Sequence, residues 1–225
     1  MTQSDVIETR QPKAGHEAAA GQRGLFLLLF ALVLLAAGGL FWLTQPRTGA
    51  PAEGSAEVGF ARDMIVHHNQ AVEMALVLYD RGDNEFLRSI ALDIVLTQQS
   101  QIGQMQAWLA LWGVPFASAD LPMTWMGMPT EGLMPGMATD EQMADLRAAS
   151  GVDADLQFIA LMIPHHQAGV HMAEAIVTST DVPAVRALAQ SMITAQQSEI
   201  QALEDIRAML DASAATPAAI EHPHS

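Results

Sequence analysis

FARDMIVHHNQAVEMA at residues 60–75 returns, altered but recognisable, as FIALMIPHHQAGVHMAE at residues 158–174. His67 falls on His165, an offset of 98 residues, and the same offset carries Gln98-Gln99-Ser100-Gln101-Ile102 onto Gln196-Gln197-Ser198-Glu199-Ile200 and Arg88 onto Arg186. Two separate blocks in one ungapped register mark an internal duplication, so one copy's architecture is the other's.

Each copy reads as two helices. Phe60, Met64, His67, His68, Ala71, Met74, Ala75 and Leu78 share one face at the helical period, which predicts a first helix over about 57–78. Arg81-Gly82-Asp83-Asn84 breaks it, and Asp83 or Asn84 can cap a second helix that runs to about Trp112. Its stripe is Ile90, Ile94, Thr97, Gln101, Met105 and Trp108. In the second copy Asp153 or Asp155 opens helix three, and Thr180 to Pro183 opens helix four, proline being tolerated in a first turn. Helix four should bury Leu188, Met192, Ala195, Glu199, Leu203 and Ile206. Short turns make the partners in each pair antiparallel. The expected fold is all-α, a four-helix bundle of approximate two-fold symmetry occupying 57–211: repeat one 57–113, a Met-rich linker 114–151, and repeat two 152–211. In the linker, Thr139-Asp140-Glu141-Gln142 has the form of a capping box.

Upstream, Leu25 to Leu43 is an unbroken apolar run, close to the roughly 20 residues needed to cross a bilayer. Arg10, Lys13 and Arg23 precede it and Arg47 follows. The positive-inside rule then predicts a cytoplasmic tail 1–24, a transmembrane anchor 25–43, and a linker 44–56 leading to an extracytoplasmic bundle. Ala50-Pro51-Ala52 loosely fits a cleavage site, but it lies far from the run and carries proline at its centre. The Ala-rich end, 212–225, reads as a disordered tail. The 225-residue chain has no cysteine, which excludes disulfides, thiolate metal sites and cysteine nucleophiles. Its net charge of −15, with Lys13 the single lysine, argues against nucleic-acid partners.

A lone histidine on an apolar face is usually a core residue with a satisfied hydrogen bond. Recurrence of the pair, His67-His68 and His165-His166, weakens that reading, because a pseudo-symmetric bundle brings four imidazoles to one region. Adjacent side chains diverge by about 100° around a helix, so which member of each pair ligates stays open. Met64, Met74, Met162 and Met172 stand on the same faces. Thioethers are ordinarily adaptable core filler, yet beside imidazoles they form a soft donor set that selects copper, as Cu(I), over zinc, magnesium or calcium. Gln101 and Glu199 sit at equivalent places inside apolar stripes, where either can hold a histidine N–H and orient its ring. Met123, Met126, Met128, Met134 and Met137 of the linker form a weaker, accessory set of soft donors. His171 reads as a surface residue. Pro164, just before His165, removes a helical hydrogen bond and should make the two copies unequal.

The pattern Met64-Ile65-Val66-His67-His68, Ala71, Met74-Ala75, then Gln98 to Ile102, repeated as Met162-Ile163-Pro164-His165-His166, Met172-Ala173, then Gln196 to Ile200, resembles the DUF305 family of exported, ferritin-like bundle proteins, which includes copper-binding proteins of the CopM type. The resemblance spans about Val58 to Leu210. It implies copper binding and a role in copper homeostasis or tolerance outside the cytoplasm, with a possible copper-donating or copper-receiving protein partner. Gln101 departs from the family's Glu, which puts equal affinity of the two halves in question. The expectation is a binder and not an enzyme: the helical segments hold no Glu-x-x-His, the signature of di-iron bundle sites. The alternatives are a metal-free interaction module attached to a membrane complex and a ferritin-like metal-dependent oxidoreductase.

Overall fold

The computed structural model describes residues 32–36 and 49–215. Residues 32–36 are helical with exposed side chains. The rest of the expected anchor, 25–43, lies outside the described residues, and among those described no helix is long and apolar enough to cross a membrane.

From residue 49 onward the described chain is helical, with no strand. Four long helices, α1 (Ala56–Arg81), α2 (Glu85–Trp112), α4 (Val152–Ser179) and α5 (Pro183–Ala215), are joined at the middle by a linker holding a 3₁₀ turn (Thr124–Met126) and the short α3 (Asp140–Ala148). α1 pairs with α2, α4 with α5, and α1 packs on α4, while α2 and α5 meet only lightly.

The starts are set by side chains that accept from otherwise unpaired backbone N–H groups. Ser55 accepts from Val58 N, Asn84 from Leu87 N, and Thr139 with Gln142 forms the expected capping box on α3. Gly113 ends α2 at φ +70, a left-handed conformation that costs glycine nothing. α5 continues to Ala215, past the expected boundary at 211, because Ala212, Ser213, Ala214 and Ala215 contain no breaker before Pro217. α4 is helical straight through Pro164.

The duplication also governs how the pairs close. Asp155, wholly buried at the start of α4, accepts from Asp83 N (3.2 Å) and Asn84 N (3.0 Å) at the α1–α2 turn. Its repeat equivalent, Glu57, accepts from Thr180 Oγ1 (2.8 Å) at the α4–α5 turn. Each hairpin is thus pinned by an acid from the first turn of the other. Arg88 and Arg186 likewise reach back to equivalent carbonyls, Tyr79 O and Val177 O.

Candidate metal centre

The core of the bundle is interrupted. One apolar cluster holds Phe60, Met64, Met105, Leu109, Met172, Ile176 and Met192, and the other holds Met74, Leu78, Ile94, Phe158, Met162 and Leu203. Between them, at one level on every long helix, stand polar residues: His67 and His68 on α1, Gln98 and Gln101 on α2, His165 and His166 on α4, Gln196 and Glu199 on α5. The four imidazoles are at most 1% exposed.

His67 and His165 bring their rings together, centroids 3.8 Å apart and planes inclined by 31°. The other two turn toward the outer helices. His68 Nε2 lies 2.8 Å from Gln101 Oε1, and His166 Nε2 lies 2.6 Å from Glu199 Oε2. Those oxygens only accept, so Nε2 of each ring carries the proton and donates it, leaving the lone pair on Nδ1. That Nδ1 is buried without a partner on both His68 and His166, and no ring nitrogen of His67 or His165 makes a well-formed hydrogen bond, although the Pro135 carbonyl stands near His67 and the backbone of His67 near His165. Gln98 Oε1 and Gln196 Oε1 are also buried and unpartnered. Buried polar atoms left unmade cost about 1–3 kcal/mol each, so a layer of them in mid-core opposes stability.

Burial also keeps three of the rings, His67, His68 and His165, neutral. Desolvation, reinforced by neighbouring imidazoles, lowers His67 to about 3, with the Pro135 carbonyl pulling weakly the other way. Desolvation lowers His68 to about 4 against the opposing hydrogen bond to Gln101. His165 is held well below the usual imidazole range, first by burial and then by His67, His166 and His68. A neutral imidazole is the form that ligates a metal.

Met64 and Met172 lie in one apolar cluster and Met74 and Met162 in the other, so the core methionines flank the polar layer from both sides. Of the linker set, Met123 and Met134 are buried in the first cluster, Met126 and Met137 pack against it half-buried, and Met128 is exposed. His171 is exposed. Thr97 is only half-buried, and it is Gln98 that faces inward. Gln98 and Gln196 were legible, since they match at the offset of 98. Gln70 was not: its equivalent is Ala168, and only the structure shows the Gln70 amide gripping the linker at Ala138.

Residues 57–207 match the family described as domain of unknown function DUF305. The chain belongs to the DUF305 family. A secreted DUF305 protein from Streptomyces coelicolor, itself described as putative, is 47% identical over 70% of this chain and 95% of its own, with a TM-score of 0.67. A DUF305 fragment from Deinococcus radiodurans is 34% identical over 67% of this chain and 94% of its own, with a TM-score of 0.56. CopM in its Cu(I)-bound form is 27% identical over 66% of this chain and 93% of its own, with a TM-score of 0.50. No curated protein matches the chain.

Within this DUF305 bundle the residues fit a soft metal ion by chemistry and by need. Buried imidazoles with nitrogens that lack a well-formed hydrogen bond stand between methionine-bearing layers, and an ion would satisfy them. No three His, Asp or Glu side chains converge as a ready cage among the described residues, so an all-carboxylate or multi-histidine hard-metal site is not preformed. The stacked His67 and His165 rings must part to admit an ion between them.

Proposed function

We propose that this chain is a membrane-anchored, extracytoplasmic copper-binding protein that sequesters or delivers Cu(I), serving copper homeostasis or resistance. One observation carries the reading: four buried imidazoles with nitrogens left without a well-formed hydrogen bond, at one level of a duplicated bundle. Pure packing would leave that cost uncompensated, whereas ligation removes it. His67, His68, His165 and His166 would hold the ion, with the Nδ1 atoms of His68 and His166 aimed by Gln101 and Glu199. Met64, Met74, Met162 and Met172 would supply thioethers, which favour the reduced ion. Bound copper would bring a soft cation into a layer buried from bulk solvent. The protein's part is to hold the rings oriented and buried.

CopM crystallised with Cu(I) and with Cu(II) supports copper as the metal, and the secreted Streptomyces relative supports an extracytoplasmic site of action. Anchoring rests on the Leu25–Leu43 run and its flanking charges. The proposed role is binding and not catalysis, and any protein partner would be a copper donor or recipient.

The test is anaerobic Cu(I) titration of the full chain in detergent against a chromophoric competitor, beside a variant with His67, His68, His165 and His166 all changed to Ala. Tight binding by the parent and its loss in a variant that keeps its helical circular dichroism is the expected result. Binding retained by the variant would move the site to the linker methionines. Absence of binding by the parent would defeat the copper reading in favour of a metal-free interaction module.

A further inference from the structure

The His67/His165 ring pair is covered by one short piece of linker, Met134-Pro135-Gly136-Met137-Ala138. Met137 N donates to Met134 O (3.2 Å), closing it as a turn. The Pro135 carbonyl is close enough to His67 to bias its charge, yet Pro135 itself is exposed, so a single thickness of chain separates this ring from solvent. Gly136, at φ +76, lies so tightly on α4 that an added Cβ would come within 2.5 Å of Pro164 O, 2.7 Å of Ala168 Cβ and 3.1 Å of His165 Cα.

Gln70, one turn beyond His67 on α1, holds this turn down. Its Nε2 donates to Ala138 O (2.8 Å), and its Oε1 accepts from Ala138 N (2.7 Å). A side-chain amide gripping both polar groups of one residue fixes position and direction together. The duplication shows that the arrangement is specific. The equivalent of Gln70 is Ala168, the very residue against which Gly136 rests. One copy supplies the clamp and the other the space.

We propose that Gln70 is a positioning residue of the site: it clamps the Met134–Ala138 turn over the His67/His165 pair, and this turn is the wall through which an ion enters and leaves. The other two rings are screened by whole helices: α2, bearing Gln101, stands against His68, and α5, bearing Glu199, against His166. Releasing the turn breaks the hydrogen bonds to one amide and lifts Met134 and Ala138 from the core, but it opens no helix–helix contact. The proposal rests on the copper reading for the ion it admits, but the clamp has a metal-free readout.

The experiment labels the metal-free full chain with diethyl pyrocarbonate and maps the modified histidines by mass spectrometry, with exposed His171 as internal standard. In Gln70→Ala, labelling of His67 and His165 relative to His171 should rise about ten-fold, the effect of losing two modest hydrogen bonds. Gly136→Ala, which cannot sit flat on Pro164 O, should act in the same direction. Gln201→Ala, at a surface pair with Asp205 on α5, should change nothing. Cu(I)-loaded Gln70→Ala should pass its metal to a chelator about ten-fold faster than the parent at unchanged stoichiometry. Unchanged labelling in both turn variants would overturn the clamp. Faster labelling with an unchanged transfer rate would overturn the turn as the route. A parent chain that binds no Cu(I) would instead defeat the copper reading, with the labelling result still deciding the clamp.

Discussion

The two copies of the helix pair share their closure and differ in what they do for the site. In closure they are interchangeable: Asp155 and Glu57 pin each other's turns, and Arg88 and Arg186 reach equivalent carbonyls. At the polar layer the copies diverge by one atom type, His68 donating to the Gln101 amide and His166 to the Glu199 carboxylate. Along the linker they diverge completely. The first copy carries Gly59 against the Trp125 ring, Arg62 bonded to Pro115 O, Asp63 accepting from Met123 N and Trp125 Nε1, and Gln70 on Ala138. The equivalents in the second are Gln157, Ala160, Leu161 and Ala168. Duplication supplied a symmetric frame, and a single linker that can follow only one path over it broke that symmetry.

The largest effect expected treats the copies as one. His67, His68 and His165 have imidazoles held below the ordinary value of 6.5 by burial, so the unfolded chain binds more protons than the folded one in acid. Stability from these rings is full above about pH 6.5 and falls as the pH drops from there toward 4, by roughly 1 kcal/mol per pH unit for each ring. Urea unfolding of metal-free protein at pH 7, 6 and 5 should show this steep loss. A flat profile would mean that these rings stay hydrated in the folded chain.

The next effect separates the copies at their turns. Asp155→Ala leaves two backbone N–H groups without their carboxylate in a buried place and should cost about 2–3 kcal/mol. Glu57→Ala removes a half-exposed acceptor from one hydroxyl and should cost about 1 kcal/mol or less. Equal midpoint shifts in denaturant would show that the hairpins are closed by something other than these acids.

At the polar layer, Glu199→Gln makes the second copy resemble the first. It should weaken Cu(I) about ten-fold in competition titration by slackening the ring that the carboxylate aims, with little change in apo stability. An unchanged affinity would remove Glu199 from the orienting groups.

The smallest effect is expected at Gly169, where the first copy has Ala71. An added Cβ collides with Gln196 Oε1, the movable end of a side chain, while alanine gains helix propensity over glycine of about 1 kcal/mol. The thermal midpoint of Gly169→Ala should therefore stay near the parent's. A large drop would show that Gln196 is held rigidly in place and sharpen its claim on the site.

The fold was readable because helices write themselves in local periods and duplication writes itself in a register. Phe60, Met64, Ala71 and Leu78 lie where the 3.6-residue period puts them, and Asn84, Thr139 and Pro183 mark starts by local chemistry. The end of α5 was placed four residues short, since alanine-rich sequence suits a helix and a loose tail equally. Gln70 left no trace in sequence, because its partner is the backbone of Ala138, and a backbone group has no identity that sequence can display.

By itself, the sequence determined the helices, their pairing, the duplicated His-His motifs and the methionines beside them, all of which depend on spacing along one chain. Only the tertiary structure decided that His67 meets His165 while His68 and His166 turn away to Gln101 and Glu199, and that the Met134–Ala138 turn lies over the ring pair. Those facts depend on how neighbouring helices rotate and where a long linker settles. Side-chain packing and backbone hydrogen bonds between distant residues set both, and neither has a period.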